Sequence, residues 1–255
     1  MASVIAVVNQ KGGVGKTTST VNLSAALARI GFKVLLVDLD PQAHSVEHLG
    51  VKSIFGQTIL EVLQGNIQAN SIIIPTYLPN LWVLPANLKL GQFNQYSPNG
   101  KQFALKEALD TSLKAKFDFI LIDCQPSLSL LTLNALTASD KVLLPVQAEF
   151  LALDGLTQLI VTLKEIQTKL HPKLQVLGVL LTMFDKRNKL SSEVQAELAK
   201  NFGNDLFRSV IPRSVKLAEA PSFAKSIFEY APDSPGAFAY LEAAKEMLEK
   251  MGQAY

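Results

Sequence analysis

Short runs of apolar residues, rich in Val, Ile and Leu, alternate along the chain with longer segments in which apolar residues recur at helical spacing. The runs predict strands at residues 4–8, 33–37, 119–122, 142–146, 176–181 and 207–211. The helical segments are residues 17–30, 128–137, 153–170, 191–201 and 235–251. Because the runs are continuous rather than alternating, both faces of each strand are expected to be buried under helices. The pattern therefore predicts an α/β fold with a doubly wound, mostly parallel sheet flanked by helices.

Residues 51–102 are less regular than the rest of the chain. Prolines and glycines punctuate this segment and predict turns between short elements. Two short strands are predicted in it, at residues 72–74 and 81–84. We interpret the segment as an irregular excursion from the main sheet, within a single domain that spans residues 1–255.

The composition excludes several classes of protein. With 48% hydrophobic and 18% charged residues, the chain has enough apolar surface to fold. Its longest apolar stretch, residues 176–184, is much shorter than the roughly 18 residues that a membrane span needs. A single cysteine, Cys124, excludes an intrachain disulfide framework and an all-cysteine metal site, and it favours a reducing compartment. The three histidines, His44, His48 and His171, do not form a metal-ligand pattern.

The most informative segment joins the first predicted strand to the first predicted helix. It is the glycine-rich run Lys11-Gly12-Gly13-Val14-Gly15-Lys16-Thr17-Thr18. Glycines let backbone N–H groups approach a phosphate closely, and a helix N-terminus adds unpaired donors and a partial positive charge. Lys16 would then reach the β- and γ-phosphates of a nucleotide, and the Thr17 hydroxyl would hold Mg²⁺. The standard P-loop pattern has glycine where this chain has Gln10, and Lys11 is an additional lysine.

On these residues the chain resembles the ParA/Soj family of partition ATPases, within the larger ParA/MinD group. Lys-Gly-Gly-x-Gly-Lys-Thr-Thr at residues 11–18 is the deviant Walker A signature of that group. Further matching segments cover most of the chain: residues 37–42, 117–124, 131–136, 182–185 and 211–222. The resemblance implies a P-loop NTPase fold of the deviant Walker A type. It also implies a weak Mg²⁺-dependent ATPase that uses ATP and Mg²⁺.

The resemblance assigns roles to the acidic residues that end two predicted strands. Asp123 would be the Walker B carboxylate, bound to Mg²⁺ through water, and Asp38 would lie near the Mg²⁺ shell. Asp40 would orient or activate the attacking water. Asp38 and Asp40 end the second predicted strand, and Asp123 ends the third. Because α/β sheets place ligands at the carboxyl ends of their strands, these positions suit that chemistry.

Further roles follow from the resemblance for the loop and for the base of the nucleotide. Lys11 would reach across a two-fold interface to the phosphates of the nucleotide in the partner subunit, where an arginine finger acts in other hydrolases. Lys11, Lys16 and Asp40 are therefore the predicted catalytic residues. Met183 and Pro212 are the predicted adenine contacts.

The resemblance implies partners as well. An ATP-bound homodimer would bind DNA without sequence preference, and a ParB-type centromere-binding protein would stimulate hydrolysis. Residues 186–225 contain eight basic and four acidic residues, which agrees with a DNA-binding surface. The leading DNA-binding candidates are Arg213 and Lys216, followed by Lys186, Arg187, Arg208 and Lys225. No membrane partner is expected, and the predicted location is cytoplasmic and nucleoid-associated.

The chain departs from the family pattern at three places. Gln125 stands where proline is usual, residues 43–45 are Ala-His-Ser where Gly-Asn-Ala is commoner, and positions 224 and 226 lack the usual glycine and proline.

Three alternative functions compete with that of a partition ATPase. The first is a MinD-type positioning ATPase that binds membranes through a C-terminal amphipathic helix. The second is a metabolic or redox member of the same group, which the single cysteine and the segment 211–222 disfavour. The third is a scaffold that binds nucleotide without hydrolysis.

Overall fold

The computed structural model describes residues 1–52, 57–96, 101–149 and 152–253. The strands in these ranges are β1 (Ser3–Val7), β2 (Val34–Leu39), β3 (Ile74–Pro75), β4 (Leu81–Leu84), β5 (Phe119–Cys124), β6 (Lys141–Gln147), β7 (Gln175–Phe184) and β8 (Leu206–Pro212). The helices are α1 (Lys16–Ile30), α2 (His44–His48), α3 (Ile59–Leu63), α4 (Gly91–Tyr96), α5 (Ala104–Ala108), α6 (Thr111–Lys114), α7 (Leu130–Ala138), α8 (Ala152–Lys169), α9 (Lys189–Phe202), α10 (Val215–Glu219), α11 (Ile227–Tyr230) and α12 (Pro235–Lys250).

The eight described strands form one sheet in the order β3-β4-β2-β5-β1-β6-β7-β8. Only the β3–β4 pair is antiparallel, and all the other described pairs are parallel. The first strand therefore lies inside the sheet, between β5 and β6. Later strands are added on both sides of it, which leaves a crevice at the carboxyl end of β1.

Side chains from alternate positions of the strands build a core on each face of the sheet. Val4 and Ala6 belong to the core beneath α3, α5, α7, α8 and α9, whereas Ile5 and Val7 belong to the core beneath α1, α11 and α12. Both faces of the central strands are buried, so continuous apolar runs are the pattern that this architecture requires. The predicted doubly wound, mostly parallel sheet is confirmed.

The irregular segment differs from its prediction at one strand. The strand predicted at residues 81–84 is β4, but the strand predicted at 72–74 is present only as the two-residue β3. The N–H of Ile72 instead donates to the Ala69 carbonyl and closes a 3₁₀ turn, so the chain becomes extended later than predicted. Residues 53–56 and 97–100 of the predicted excursion lie outside the described residues.

The C-terminal helix is part of the core. Tyr240, Ala244, Met247 and Leu248 of α12 are fully or almost fully buried, and α12 packs against α1 and β8. The Tyr240 hydroxyl lies 3.1 Å from the Ser19 hydroxyl on α1. The apolar face of this helix is therefore already covered by the protein itself.

Candidate nucleotide-binding site

The glycine-rich loop between β1 and α1 is fastened to the neighbouring strands. The Asn9 side chain accepts a hydrogen bond from the N–H of Lys11 (2.9 Å) and donates one to the carbonyl of Pro145 on β6 (2.7 Å). The Thr182 hydroxyl, on β7, donates to the carbonyl of Val14 (2.9 Å). These three bonds hold the two ends of the loop on the carboxyl edge of the sheet.

Two glycines give the loop its shape. Gly13 and Gly15 have φ angles of +74° and +85°, a region that residues with side chains rarely adopt. Gly15 is also the N-cap of α1, and no side chain caps the first turn of that helix. The N–H groups of this turn therefore remain available to an anion, as at other phosphate-binding helix termini. The structure thus brings the predicted phosphate-binding residues into one cradle.

Lys16 lies inside this loop. Its side chain is 7% exposed, and its ammonium group donates to the carbonyl of Lys11 (3.0 Å). Burial lowers the pKa of Lys16, while the nearby Asp123, Cys124 and Asp40 oppose that shift. A phosphate placed in the cradle would restore a favourable electrostatic environment for this buried cation.

Lys11 has the opposite environment. Its side chain is 40% exposed, and its ammonium group lies 3.4 Å from a carboxylate oxygen of Glu149, which follows β6. An exposed ion pair at this distance contributes about 0 to 1 kcal/mol, so the position of Lys11 is only weakly fixed. One lysine of the loop is therefore buried in the cradle, and the other lies at the surface.

The three predicted carboxylates lie together at the carboxyl ends of β2 and β5. Asp38 and Asp123 are opposite each other in the parallel register of these strands, and both are fully buried. Asp40 follows β2 and is 8% exposed. Its carboxylate accepts a hydrogen bond from the N–H of Gln42 (2.9 Å).

Asp38 holds the loop that carries Asp40. One carboxylate oxygen accepts the N–H of Asp40 (3.1 Å), and the other accepts the N–H of Val46 (3.2 Å). Burial, followed by the adjacent Asp123, raises the pKa of Asp38 well above its usual value. Burial also raises the pKa of Asp123, while hydrogen bonds from the Ser45 and Thr17 hydroxyls oppose that shift.

These groups fit a magnesium ion held together with a nucleotide. Two buried carboxylates lie opposite each other beside the cradle, and a bound cation would offset the burial and the neighbouring negative charges that raise their pKa values. In the described part of the chain, no three or more His, Cys, Asp or Glu residues form a complete metal cage. Mg²⁺ rarely uses such a cage, because it binds one or two carboxylates together with phosphate and water.

A cavity of about 330 Å³ lies beside the loop, and it contains both predicted adenine contacts. Its lining includes Gly15, Thr18, Met183, Pro212 and Tyr240. Tyr240 was not predicted from the sequence, because it lies far along the chain on a helix whose pattern indicates only core packing. The predicted contacts at Met183 and Pro212 are thus placed together with the loop.

The predicted DNA-binding residues do not all lie together. Lys186, Arg187 and Arg213 line one groove of about 950 Å³, and Arg213 also lines the cavity beside the loop. Lys216 lies nearby on α10, where it forms an ion pair with Glu219 (3.0 Å). Lys225 is exposed and lines neither of these two cavities.

Arg208 does not join this group. It forms ion pairs with Glu246 (3.5 Å) and Glu249 of α12. It lies on β8, five residues before Arg213, which follows the end of that strand; an extended chain of this length separates the two by roughly 17 Å. The sequence could not distinguish it from the others, because its acidic partners come from a distant helix.

The departures from the family pattern have structural consequences. Ala43 and Ala224 have φ angles of 55° and 54°, so alanine occupies left-handed backbone positions that favour glycine. Gln125 donates a hydrogen bond to the Ser129 hydroxyl at the start of α7. The Ser45 hydroxyl donates to Asp123, a contact that sequence analysis missed.

A mostly parallel sheet with this loop after β1, together with carboxylates at the ends of β5 and β2, defines a P-loop nucleotide-binding protein of the deviant Walker A type. A family model described as an AAA domain matches residues 2–176. The sporulation initiation inhibitor protein Soj of Bacillus subtilis is 47% identical, over 97% of this chain and 98% of its own length. The chromosome-partitioning ATPase Soj of Thermus thermophilus is 46% identical, over 98% of this chain and 97% of its own length. The chain therefore belongs to the Soj/ParA family, as the sequence predicted.

Solved structures show the same fold at lower identity. A cobyrinic acid a,c-diamide synthase from Mycobacterium smegmatis with bound ADP and magnesium has a TM-score of 0.86 and 36% identity, over 99% of this chain and 96% of that one. The septum site-determining protein MinD of Pyrococcus horikoshii with Mg-ADP has a TM-score of 0.82 and 30% identity, over 99% and 98%. The MinD type is thus more distant in sequence than the partition proteins. No helix within the described ranges is long and apolar enough to cross a membrane.

Proposed function

We propose that this protein is a Mg²⁺-dependent ATPase that converts ATP to ADP and phosphate at a low intrinsic rate and acts in chromosome or plasmid segregation. ATP closes a homodimer that binds DNA without sequence preference. A ParB-type partner stimulates hydrolysis, which releases the DNA. The protein then works in the cytoplasm, on the nucleoid. The family membership supports this function, and the main structural support is the arrangement of the two lysines in the loop.

The two lysines of the glycine-rich loop have opposite environments. Lys16 is buried and bonded within the cradle, where it can contact only the phosphates of its own nucleotide. Lys11 is exposed and weakly paired, so it can leave Glu149 without a large cost. A second subunit facing this loop would receive Lys11 beside its own phosphates. Hydrolysis would then depend on dimerisation.

The remaining residues position the reactants. The N–H groups of the loop and Lys16 would hold the phosphates, and Thr17 and, through water, Asp123 would hold Mg²⁺. Mg²⁺ neutralises charge on the phosphate oxygens when it is bound. Asp40 lies beside the other two carboxylates. Its Oδ1 accepts the N–H of Gln42, and its Oδ2 would orient the attacking water. Phosphoryl transfer needs this positioning more than it needs covalent chemistry.

DNA binding is connected to the nucleotide through Arg213. This residue lines both the cavity beside the loop and the basic groove that contains Lys186 and Arg187. Its backbone N–H donates a hydrogen bond of 2.9 Å to the carbonyl oxygen of Phe184, the last residue of β7. A nucleotide in the cavity and DNA on the groove would therefore contact the same short segment. We leave Arg208 out of the proposed DNA surface, because it is paired with α12 at the other end of β8.

Sedimentation velocity tests the dimer. We expect the wild type to be a monomer with ADP and a dimer with a non-hydrolysable ATP analogue. Lys11→Ala is expected to bind the analogue but stay monomeric. Lys169→Ala is the matched control, because Lys169 is also exposed and pairs with a glutamate at 3.4 Å, away from the loop. A wild type that stays monomeric when saturated with the analogue, or a Lys11→Ala protein that dimerises normally, would contradict the proposal.

A further inference from the structure

Ser45 makes a contact that neither the loop signature nor the family pattern predicts. Its hydroxyl donates a hydrogen bond to Asp123 Oδ2 at 2.6 Å. Both side chains are fully buried, so water does not compete for this bond. A hydroxyl bonded to an ionised carboxylate at this distance is among the stronger hydrogen bonds in proteins.

The contact joins two parts of the site that belong to different strands. Asp123 ends β5, whereas Ser45 lies in the turn that follows Asp40 and begins α2. The same turn is held to β2, because the N–H of Val46 donates to Asp38 Oδ2 (3.2 Å). Consecutive residues of one turn are thus bonded to the facing carboxylates of β2 and β5.

From this geometry we propose that Ser45 is a positioning residue that fixes the Asp123 carboxylate for Mg²⁺ and ties it to the loop that carries Asp40. The inference rests on the proposed function, because it assigns Asp123 to Mg²⁺. One carboxylate oxygen can accept more than one hydrogen bond, so the Ser45 bond orients Asp123 without blocking it. Alanine is commoner at this position in the family pattern, and alanine has no hydroxyl with which to make this contact. Removing a hydrogen-bond partner of a directly ligating side chain typically lowers metal affinity by roughly 10- to 100-fold, and because Asp123 would hold Mg²⁺ through water, we expect an effect at the lower end of that range.

The test measures the Mg²⁺ concentration that half-saturates the binding of a fluorescent ADP analogue, which requires no hydrolysis. We expect Ser45→Ala to raise this concentration by about 10-fold, at the lower end of the range for such partners. Ser45→Thr keeps the hydroxyl and is expected to restore most of the wild-type value. Ser139→Ala is the matched control, because Ser139 is also fully buried and its hydroxyl donates to the Ala135 carbonyl (2.7 Å), away from the carboxylates.

The outcomes separate this inference from the proposed function. If the wild type requires Mg²⁺ for tight ADP binding and Ser45→Ala requires the same concentration, Ser45 does not position Asp123. If Ser45→Thr and Ser45→Ala are equally impaired, the effect comes from packing and the inference is also wrong. If the wild type binds no ADP, the proposed function itself fails. Thermal unfolding checks that each variant is folded, and Ser45→Cys replaces Ser45→Ala if the latter is not.

Discussion

His48 gives the protein a pH dependence that can be calculated before it is measured. The side chain lies in α2, is 1% exposed, and its Nε2 has no hydrogen-bond partner among the described residues. Burial lowers the pKa of His48 to about 4, although a hydrogen bond to the backbone of Lys225 partly opposes the shift. In the unfolded chain the same side chain has a pKa of about 6.5. The folded protein therefore binds fewer protons than the unfolded chain between these values.

The sign and size of the effect follow from linkage. A histidine whose folded pKa is lowered contributes its full stability above pH 6.5 and loses it as the pH falls toward 4. The lost free energy of unfolding is about 2 kcal/mol at pH 5 and about 3 kcal/mol below pH 4. His48→Gln cannot titrate, so its free energy of unfolding should fall less between pH 7.5 and pH 5, by about 2 kcal/mol.

Urea unfolding of the wild type and variants at pH 7.5 and pH 5 measures this difference. Other groups titrate in this range as well, but they are common to both proteins and cancel in the comparison. His44→Gln is the control, because His44 is exposed on the same helix and the variant keeps His48. Equal losses of stability in the wild type and in His48→Gln would refute the argument, because His48 would then not be buried in its neutral form.

Two further predictions concern backbone strain at departures from the family pattern. Ala43→Gly should raise the free energy of unfolding by about 0.5 to 1 kcal/mol, because glycine avoids the cost of a left-handed alanine but loses more entropy on folding. Ala224→Gly should do the same for the same reason, and chemical denaturation measures both. A loss of stability in either variant would show that the methyl group contributes more by packing than it costs by strain.

The sequence predicted the parts of the molecule that depend on local pattern. Continuous apolar runs predicted the strands β1, β2 and β5–β8, because a strand that is buried on both faces is apolar at every position. The spacing of Gly13, Gly15 and Lys16 gave the loop, because each residue there has a local conformational or chemical requirement.

The parts that the sequence did not predict depend on distant contacts. Ser45 meets Asp123 only because β2 and β5 are neighbours in the sheet. Tyr240 reaches the cavity beside the loop only because α12 packs on α1. Arg208 is basic, as a DNA contact must be, but it is paired with an acidic residue of α12. No local pattern encodes such placements.

The central claim is that ATP controls DNA binding through the segment that contains Arg213. The most direct measurement is the fluorescence anisotropy of a random-sequence DNA duplex, titrated with protein and ATP or ADP across a series of salt concentrations. We expect binding only with ATP, with an affinity that falls steeply with salt. Arg213→Gln should weaken it and reduce the salt dependence by about one counterion, whereas Arg208→Gln should not. Equal binding with ATP and ADP, or no binding by a protein that dimerises with ATP, would contradict the claim.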